Sequence, residues 1–510
     1  MATSFSRVYS AQTNLLNAFI ISVEVDLSKG LHSFNVVGLA DKAVDEARDR
    51  VSAAIKNTGY KPPKQNNKKV VISLAPASLR KEGPQFDLPI ALAYLLAAQE
   101  ITFESEGCIF LGELALDGAV RPIHGTLALT LAAKDAGFKK VFVPIDNAEE
   151  AALVSGITIY GVSTLREVID HINTQDSPIE SHYIAPQSQT KIQEEQVTTL
   201  ITFEDIVKQE SAKRGLTIAA AGGHNIALYG PPGTGKTMLA KAFAGILPSL
   251  KFDEALEVTS IHSIAGSLSE TLITNPPVRA PHHTASYVSL VGGGTYPKPG
   301  EATLAHRGVL FMDEFPEFDK KVINALRQPL EDGVVTISRA KGSAEFPSQF
   351  ILIAALNPCP CGYLGSNKCK CTMHEVRRYK LKVSGPIIDR IDMWIEVGQV
   401  AHEKLGEASS DKNGKQTKAA KARVHKARVQ QEGRGKQNAQ MNNKDIAKHA
   451  KLSNKTEQIL NLSAKKQDLS PRAYHRVIKL ARTIADMEQA VDITENHILE
   501  ALSYRPKAEF

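Results

Sequence analysis

The eight residues 230–237, Gly-Pro-Pro-Gly-Thr-Gly-Lys-Thr, constrain the fold of this chain more than any other stretch. They match the pattern G-x-x-x-x-G-K-[ST], in which glycines let the backbone bend so that its N–H groups face phosphate oxygens. The apolar run Asn225–Tyr229 predicts a strand before the loop, and the spacing of Met238–Gly245 predicts a helix after it. This order predicts a phosphate site at the positive end of a helix, within an α/β fold.

The side chains of the loop indicate how ATP and Mg²⁺ would be held. We expect Lys236 to place its charge on the outer phosphates and the Thr237 hydroxyl to ligate Mg²⁺. The alternative is a glycine-rich turn that binds nothing, which the complete strand, loop and helix disfavour. The predicted nucleotide-binding set is Gly230, Pro231, Pro232, Gly233, Thr234, Gly235, Lys236, Thr237, Met238 and Asp313.

A second stretch, Gly308–Glu314, is an apolar run that ends in two acidic residues. In a parallel sheet, the carboxyl ends of the strands open on the ligand crevice. We therefore expect Asp313 to hold Mg²⁺ and Glu314 to polarise the attacking water as general base. The alternative is a buried strand followed by a solvated acidic turn.

The composition is that of a soluble protein with several domains. A chain of 510 residues is too long for one core, so about two to four domains are expected. No stretch reaches about 18 uninterrupted apolar residues, so no membrane span is expected. Five cysteines, four of them clustered, do not resemble a disulfide framework and favour a reducing cytoplasm. The fifth, Cys108, lies in an apolar strand and is expected in the core.

Positive charge is concentrated in one segment. The whole chain has a formal net charge of +6, and residues 401–440 hold ten Lys or Arg against four Asp or Glu, which is also +6. Within it, Lys418–Arg428 is a basic run that favours a helix. The run predicts either contact with the phosphate backbone of a nucleic acid or a solvated linker helix.

Residues 1–172 alternate predicted strands and helices, and they resemble the proteolytic domain of Lon proteases as it occurs in magnesium-chelatase-like proteins. The matching stretches are Lys81–Ala91 and Leu111–His124. Lon-type proteases have a serine after the Gly-Pro pair and a lysine soon after the second stretch, whereas Gln85 follows Pro84 here and no lysine follows. Because serine–lysine catalysis needs both groups, we expect a non-proteolytic domain. The resemblance does not align Ser78 with Lys81 as a substitute pair.

Further along the chain, residues 173–200 are polar and turn-rich, which predicts a linker. About seventy residues separate the two nucleotide motifs, and their Pro and Gly density predicts loops. This insertion holds the adjacent histidines His282 and His283, for which a structural or substrate-facing role is favoured over metal ligation. After it, Val334–Arg339 and Phe346–Leu356 predict a hairpin whose second strand ends at Asn357.

The phosphate loop, the insertion, the acidic strand end, the hairpin, Asn357 and Ser384–Asp392 together resemble an AAA+ ATPase of the magnesium-chelatase group. With the Lon-like front end, nearly the whole chain is similar to the ComM/YifB family. The resemblance implies a hexameric ring that translocates DNA and drives branch migration in natural transformation, with the insertion and hairpin loops facing the central pore. It also implies that Asn357 is sensor 1, that Arg390 is an arginine finger reaching the neighbour's γ-phosphate, and that Arg472 is sensor 2.

The expected architecture is an α/β multidomain protein. It comprises a Lon-protease-like α+β domain (1–172), a linker (173–200), an AAA+ αβα core with a parallel sheet (201–400), a basic linker or helix (401–440) and a C-terminal helical lid (441–510). We expect a DNA motor. A chelatase-type or chaperone-type remodelling ATPase is the alternative, suggested by fold kinship alone.

Four cysteines follow Asn357 in the pattern C-x-C-x7-C-x-C: Cys359, Cys361, Cys369 and Cys371. Four thiolates suit structural Zn²⁺, although this spacing is not the commonest one in zinc fingers. Reduced free thiols are the alternative.

Overall fold

The structure is a computed structural model. It describes residues 4–14, 17–31, 33–38, 42–66, 68–81, 83–173, 183–190, 201–268, 270–293, 298–339, 342–399 and 414–506. The chain forms two compact units, Met1–Gln193 with Leu256–Ile273, and Glu194–Ala255 with Thr274–Phe510. Most of the predicted linker 173–200 lies outside the described residues, as do residues 401–413 of the basic segment.

The first unit is built on a seven-stranded mixed sheet with the order β3-β4-β2-β1-β5-β8-β9. In β2, every second residue from Ile21 to Leu27 is buried, which is the pattern of a strand with one face on the core. The strands described in the first unit are β1 Phe5–Asn14, β2 Asn17–Lys29, β3 Ser33–Val37, β4 Lys68–Ala75, β5 Cys108–Phe110, β6 Glu113–Leu114, β7 Val120–Arg121, β8 Lys140–Pro144 and β9 Thr158–Val162. Of these, β6 and β7 pair only with each other. The helices of this unit are α1 Lys42–Asn57, α2 Asp87–Ala97, α3 Thr126–Asp135, α4 Ala148–Ala151 and α5 Leu165–Asn173.

The Lon-like stretch Lys81–Ala91 leads into α2, whose residues are almost all buried. Asp87 begins this helix and accepts hydrogen bonds from Arg50 and from the Leu114 N–H. Burial raises the pKa of Asp87 to about 6, against the opposing effect of Arg50. Lys81 is fully buried, and its ammonium donates to the carbonyl oxygens of Pro76 and Leu79. The stretch Lys81–Ala91 therefore forms part of the buried core of this unit.

The segment Leu256–Ile273 belongs to the first unit, although the sequence predicts it within the ATPase core. Ser263 donates to the carboxylate of Glu150 at 2.6 Å and accepts from the Gly125 N–H at 2.9 Å. Glu150 also accepts from the Leu127 N–H at 3.0 Å. The bonds of Ser263 join residues more than a hundred positions apart, which no local pattern encodes.

The second unit contains a five-stranded parallel sheet in the order β11-β14-β17-β10-β18. The strands described in the second unit are β10 Ile226–Tyr229, β11 Val278–Arg279, β12 Gly292–Gly293, β13 Lys298–Pro299, β14 Val309–Met312, β15 Val334–Arg339, β16 Gly342–Pro347, β17 Ile351–Leu356 and β18 Met393–Glu396. β12 pairs with β13, and β15 with β16, outside the parallel sheet. β14 and β17 are buried throughout, as expected for strands covered on both faces.

The helices from Glu210 onward follow in chain order. They are α6 Glu210–Gly222, α7 Lys236–Ala244, α8 Phe252–Ala265, α9 Tyr287–Val291, α10 Glu301–Leu304, α11 Lys320–Ala325, α12 Arg327–Asp332, α13 Met373–Lys380, α14 Gly385–Ile388, α15 Lys415–Glu432, α16 Asn443–His449, α17 Asn454–Lys466, α18 Pro471–Met487 and α19 Glu495–Ser503. The last four lie in the region predicted to form the helical lid, and α8 lies mostly in the segment that belongs to the first unit. In the described residues, no helix is long and apolar enough to cross a membrane.

The predicted hairpin is wrong in its second strand. Val334–Arg339 pairs with Gly342–Pro347, and Ile351–Leu356 is a strand of the parallel sheet, paired with β10 and β14. Pro347 cannot donate a ladder hydrogen bond, so the hairpin ends there and the chain turns before the next strand. Two adjacent apolar strands therefore looked like one in the sequence.

The basic helix α15 has one buried face and one exposed face. Thr417, Ala420, Val424, Ala427 and Gln431 are buried at helical spacing, and the helix packs on α6 and α18. Lys418, Lys421, Arg423 and Lys426 are exposed. Arg428 differs from them, because its guanidinium donates to the Ala220 carbonyl at 3.1 and 2.7 Å.

Candidate nucleotide-binding site

The register of the parallel sheet brings the predicted nucleotide residues together. β17 lies between β10 and β14, with Tyr229 opposite Leu356 and Met312 opposite Ala354. The residues that follow these strands are Gly230, Asn357 and Asp313, so all three leave the sheet at the same edge. This edge, at the carboxyl ends of the strands, is where ligands bind in open α/β sheets.

Lys236 begins α7 and is 8% exposed. Its ammonium donates to the carbonyl oxygens of Gly230 and Pro231 at 2.7 and 2.8 Å, and to Asn357 Oδ1 at 3.1 Å. Burial lowers the pKa of Lys236, against the opposing charge of Asp313. The predicted phosphate lysine and the predicted sensor 1 are therefore in direct contact.

The loop conformation depends on its glycines for two different reasons. Gly233 and Gly235 have φ of 74° and 90°, in the left-handed region that favours glycine. Gly230 has ordinary φ, but a Cβ there would lie 2.2 Å from the Val397 carbonyl oxygen. The first two allow the bend, and the third allows the chain just after β18 to approach the loop.

Thr237 and Asp313 supply the oxygens for a Mg²⁺ site. The Thr237 hydroxyl donates to Asp313 Oδ2 at 2.8 Å. A hydroxyl and a carboxylate are hard oxygen ligands of the kind that Mg²⁺ takes beside substrate phosphates. This donor set fits the ion, and the rest of its shell would come from phosphates and water.

Glu314 has an unpredicted partner in His283. Glu314 adopts φ 51°, its side chain is 54% exposed, and its carboxylate lies 3.4 Å from His283 Nδ1. His283 follows β11, which pairs in parallel with β14, so both residues leave the sheet at the same edge. The sequence shows His283 in a Pro- and Gly-rich insertion, where nothing local relates it to Glu314. Only the pairing of β11 with β14 could have identified it.

The predicted arginine finger and sensor 2 lie together elsewhere in the second unit. Arg390 and Arg472 both form ion pairs with Glu331. Arg390 is 9% exposed, and burial first, then the nearby charges of Arg472 and Arg476, lower its pKa. Among the described residues, neither Arg390 nor Arg472 hydrogen-bonds to the phosphate loop.

Their position is set by the amino edge of the same sheet. Arg390 precedes β18, and its carbonyl accepts from Asn225 Nδ2 at 3.2 Å, just before β10. Arg476 donates to the Arg390 carbonyl at 3.0 Å and also pairs with Asp392. Burial raises the pKa of Asp392, but Arg476 and His224 hold it well below its usual range. A cavity of about 430 Å³ opens at this edge, lined by Asn225, Glu331, Asp392 and Arg476 among others.

The four predicted cysteines converge after Asn357. The Sγ atom of Cys359 lies 3.4 Å from that of Cys361 and 3.9 Å from that of Cys369. All four Sγ atoms, including that of Cys371, lie within 4.8 Å of one another. A tetrahedral Zn–S₄ site with bonds of about 2.3 Å has sulfurs about 3.8 Å apart, so the donor set fits one Zn²⁺.

The fold and the site define the class of the protein. A phosphate loop after β10, an Asp-Glu pair after β14 and a polar Asn after β17, the strand between them, are the arrangement of an AAA+ phosphate-loop ATPase. The family model for "Magnesium chelatase, subunit ChlI" matches residues 202–405. The models for "Subunit ChlI of Mg-chelatase" and for the ChlI C-terminal region match residues 23–147 and 414–505.

Curated relatives match along the whole chain. Competence protein ComM of Haemophilus influenzae is 41% identical over 505 residues, covering 98% of this chain and 97% of that protein. The uncharacterised protein YifB of Escherichia coli is 40% identical over 507 residues, covering 98% and 97%. The chain belongs to the ComM/YifB family of magnesium-chelatase-like AAA+ proteins, a membership that implies ATPase activity.

A weaker match agrees with the Lon-like resemblance. Lon protease 2 of Bacillus subtilis is 28% identical over 218 residues, which is 38% of this chain and 40% of that protein.

Proposed function

We propose that this protein is an ATP-driven DNA motor that works as a homo-oligomeric ring, most simply a hexamer. It would drive helicase or branch-migration activity on DNA in the cytoplasm, using ATP and Mg²⁺. The observation that carries the proposal is the separation of the nucleotide residues from Arg390 and Arg472, at opposite edges of one sheet. The name of the Haemophilus influenzae relative supports a role in natural competence.

In the proposed ATPase site, each residue has one task. Lys236 and the N–H groups of the loop bind the outer phosphates, while Thr237 and Asp313 hold Mg²⁺, which neutralises phosphate charge when bound. Glu314 accepts a proton from the attacking water as general base. Asn357, which contacts Lys236, orients that water.

The proposed ring follows from the arginines. An arginine supplied in trans stabilises the charge of the transferred phosphoryl group. In an assembly, the amino edge of one copy would face the phosphate loop of the next, so that Arg390 and Arg472 leave Glu331 for the neighbour's ATP. Glu331 then keeps the two guanidinium groups paired in a free subunit.

Contact with DNA is proposed for the exposed face of α15. Lys418, Lys421, Arg423 and Lys426 form a basic stripe, and no base-reading motif accompanies them, so they would meet phosphates without sequence preference. Arg428 is excluded from this surface, because it bonds the Ala220 carbonyl.

Two further features complete the proposal. The first unit would not act as a protease, because Gln85 stands at the serine position of the Lon pattern and the Lys81 ammonium bonds two carbonyls. The four cysteines would bind one structural Zn²⁺ per chain, supported by the distances among their sulfurs.

The test is the ATPase rate of the purified protein with and without single-stranded, duplex and forked DNA. We expect stimulation by DNA that weakens steeply with salt. The family models name a chelatase subunit, which supports a remodelling ATPase as the second candidate. A basal rate that no DNA changes would favour that candidate over the motor.

A further inference from the structure

The four-cysteine loop packs against the phosphate loop. It starts two residues after Asn357, the residue that accepts from Lys236. Gly362, within the loop, lies so close to Pro232 that a Cβ would be 2.5 Å from the proline Cδ and 3.0 Å from its Cγ. A stiff ring of the nucleotide site thus rests directly on the chain between Cys361 and Cys369.

The loop is also anchored at its own ends. The Gly362 N–H donates to the Cys359 carbonyl at 2.9 Å, and the Cys361 N–H donates to Cys371 Sγ at 3.4 Å. Thr372 and Glu375 cap the following helix α13 with reciprocal hydrogen bonds. The stretch between Cys361 and Cys369 has no helix or strand and holds itself through turn hydrogen bonds, so the contacts among the four sulfurs add to what fixes the position of Gly362.

We propose that a thiophilic divalent cation of the Zn²⁺ class, bound by Cys359, Cys361, Cys369 and Cys371, braces the phosphate loop and thereby sets the affinity for ATP. The proposal rests on the proposed function in taking residues 230–237 as the ATP site and the four cysteines as a Zn²⁺ site. Four thiolates exclude Mg²⁺ as the occupant, because Mg²⁺ requires oxygen ligands.

The mechanism is preorganisation. A phosphate loop binds ATP through backbone N–H groups that must already point at the phosphates, so its affinity falls with the fraction of chains that hold this conformation. With the metal bound, Gly362 supports Pro232 from one side. Loss of the metal frees that support, and a tenfold drop in the competent fraction would raise the Kd for ATP about tenfold.

The chain offers a matched pair of variants for the test. Gly362 and Gly365 lie in the same loop and both have φ of 83°, but a Cβ on Gly365 would have nothing within 4 Å. Gly362→Ala and Gly365→Ala therefore carry the same backbone strain, and only the first disturbs Pro232. Cys369→Ser with Cys371→Ser removes two ligands without altering the residue that contacts Pro232.

The measurements are zinc per chain by elemental analysis and the Kd for ATP by calorimetry, on the full chain with Mg²⁺ and without DNA. We expect about one zinc in the wild type, and no zinc with an approximately tenfold weaker Kd in the double cysteine variant. Gly362→Ala should keep zinc and lose affinity more than Gly365→Ala. Removing zinc from the wild-type protein with a zinc-selective chelator should weaken ATP binding likewise, and restoring Zn²⁺ should recover it. This measurement decides the proposal even if the double cysteine variant does not fold.

Metal-free protein with wild-type ATP affinity would overturn the proposal, as would equal effects of the two glycine variants or four cysteines found as disulfides. Failure of the proposed ATP site would look different. In that case the zinc-loaded wild type would bind no ATP, or Lys236→Ala would bind it equally well.

Discussion

The carboxyl and amino edges of the five-stranded sheet carry different sets of polar and charged residues. At the carboxyl edge, Lys236 bonds Asn357 and Thr237 bonds Asp313, with Glu314 adjacent. At the amino edge, Arg390 and Arg472 share Glu331, while Arg476 pairs with Asp392. Under the proposed function, the first edge supplies the groups that bind and cleave a triphosphate, and the second supplies cations for the charge that the reaction develops.

The distance between the edges decides how they can work together. β10 and β18 are each four residues long and in register, so their two ends are about 13 Å apart. An arginine that precedes β18 therefore starts at the edge away from the phosphate loop that follows β10. Under the proposed function, the two edges meet when the amino edge of one copy faces the carboxyl edge of another.

The largest effects are expected at the carboxyl edge. Lys236→Ala should abolish ATP binding, because its charge meets the phosphates, whereas Glu314→Gln should bind ATP and lose turnover by ~10⁴-fold. Calorimetry and steady-state ATPase rates measure the two effects. Lys241→Ala, on an exposed position of the same helix, is the control for Lys236. Normal turnover in Glu314→Gln would remove the general base from this edge.

The next effect joins the two edges. Arg390→Ala should bind ATP but lose turnover by ~10³-fold, since the arginine is expected to act in trans. Mixed with Glu314→Gln under conditions of subunit exchange, it should regain activity above both parents, because some interfaces then pair an intact Glu314 with an intact Arg390. Arg472→Ala should behave alike, since Arg472 shares Glu331 with Arg390. With exchange verified by mass spectrometry, no gain on mixing would argue against a composite site.

A smaller effect is expected from His283, which lies beside Glu314 at the carboxyl edge. His283 Nδ1 lies 3.4 Å from the Glu314 carboxylate, and a polar interaction of about 1 kcal/mol corresponds to roughly fivefold in rate. We expect His283→Ala to lower kcat about that much and to leave KM for ATP unchanged. The amide of Asn places a donor where Nδ1 stands, so His283→Asn should retain more activity than His283→Gln. Equal rates for Asn and Gln would show that Nδ1 does not position Glu314.

The smallest effect concerns a surface that belongs to neither edge, the exposed face of α15. Replacing Lys421, Arg423 and Lys426 by Gln should weaken DNA binding and lower the salt slope by ~0.9 for each DNA phosphate that is no longer neutralised. Arg428→Met should instead lower the free energy of unfolding, by about 1–3 kcal/mol, because it leaves the buried Ala220 carbonyl without this donor. Fluorescence anisotropy across a salt series and urea unfolding separate the two. An unchanged salt dependence of DNA binding in the triple variant would show that this face is solvated and does not contact DNA.

By itself, the sequence determined the local chemistry of this protein. The glycines, Lys236 and Thr237 predict a phosphate loop because the bend and its ligands are encoded within eight residues, and Asp313 and Glu314 follow from an apolar run that ends in acids. The start of α18 is also encoded locally, since Ser470 caps the helix and Pro471 suits its first turn. The hairpin prediction was wrong near Pro347, because the apolar run Phe346–Leu356 contains the end of one strand and the whole of the next.

Only the tertiary structure decided which distant residues meet. The pairing of β11 with β14 brings His283 next to Glu314. The packing of α15 directs Arg428 to the Ala220 carbonyl, and Gly362 contacts Pro232. Arg390 and Arg472 meet at Glu331, which lies on α12 at the edge opposite the phosphate loop. These contacts depend on strand order and on helix packing across long stretches of chain. Hydrophobic periodicity and motif spacing contain neither, because they record only what neighbours in sequence require of one another.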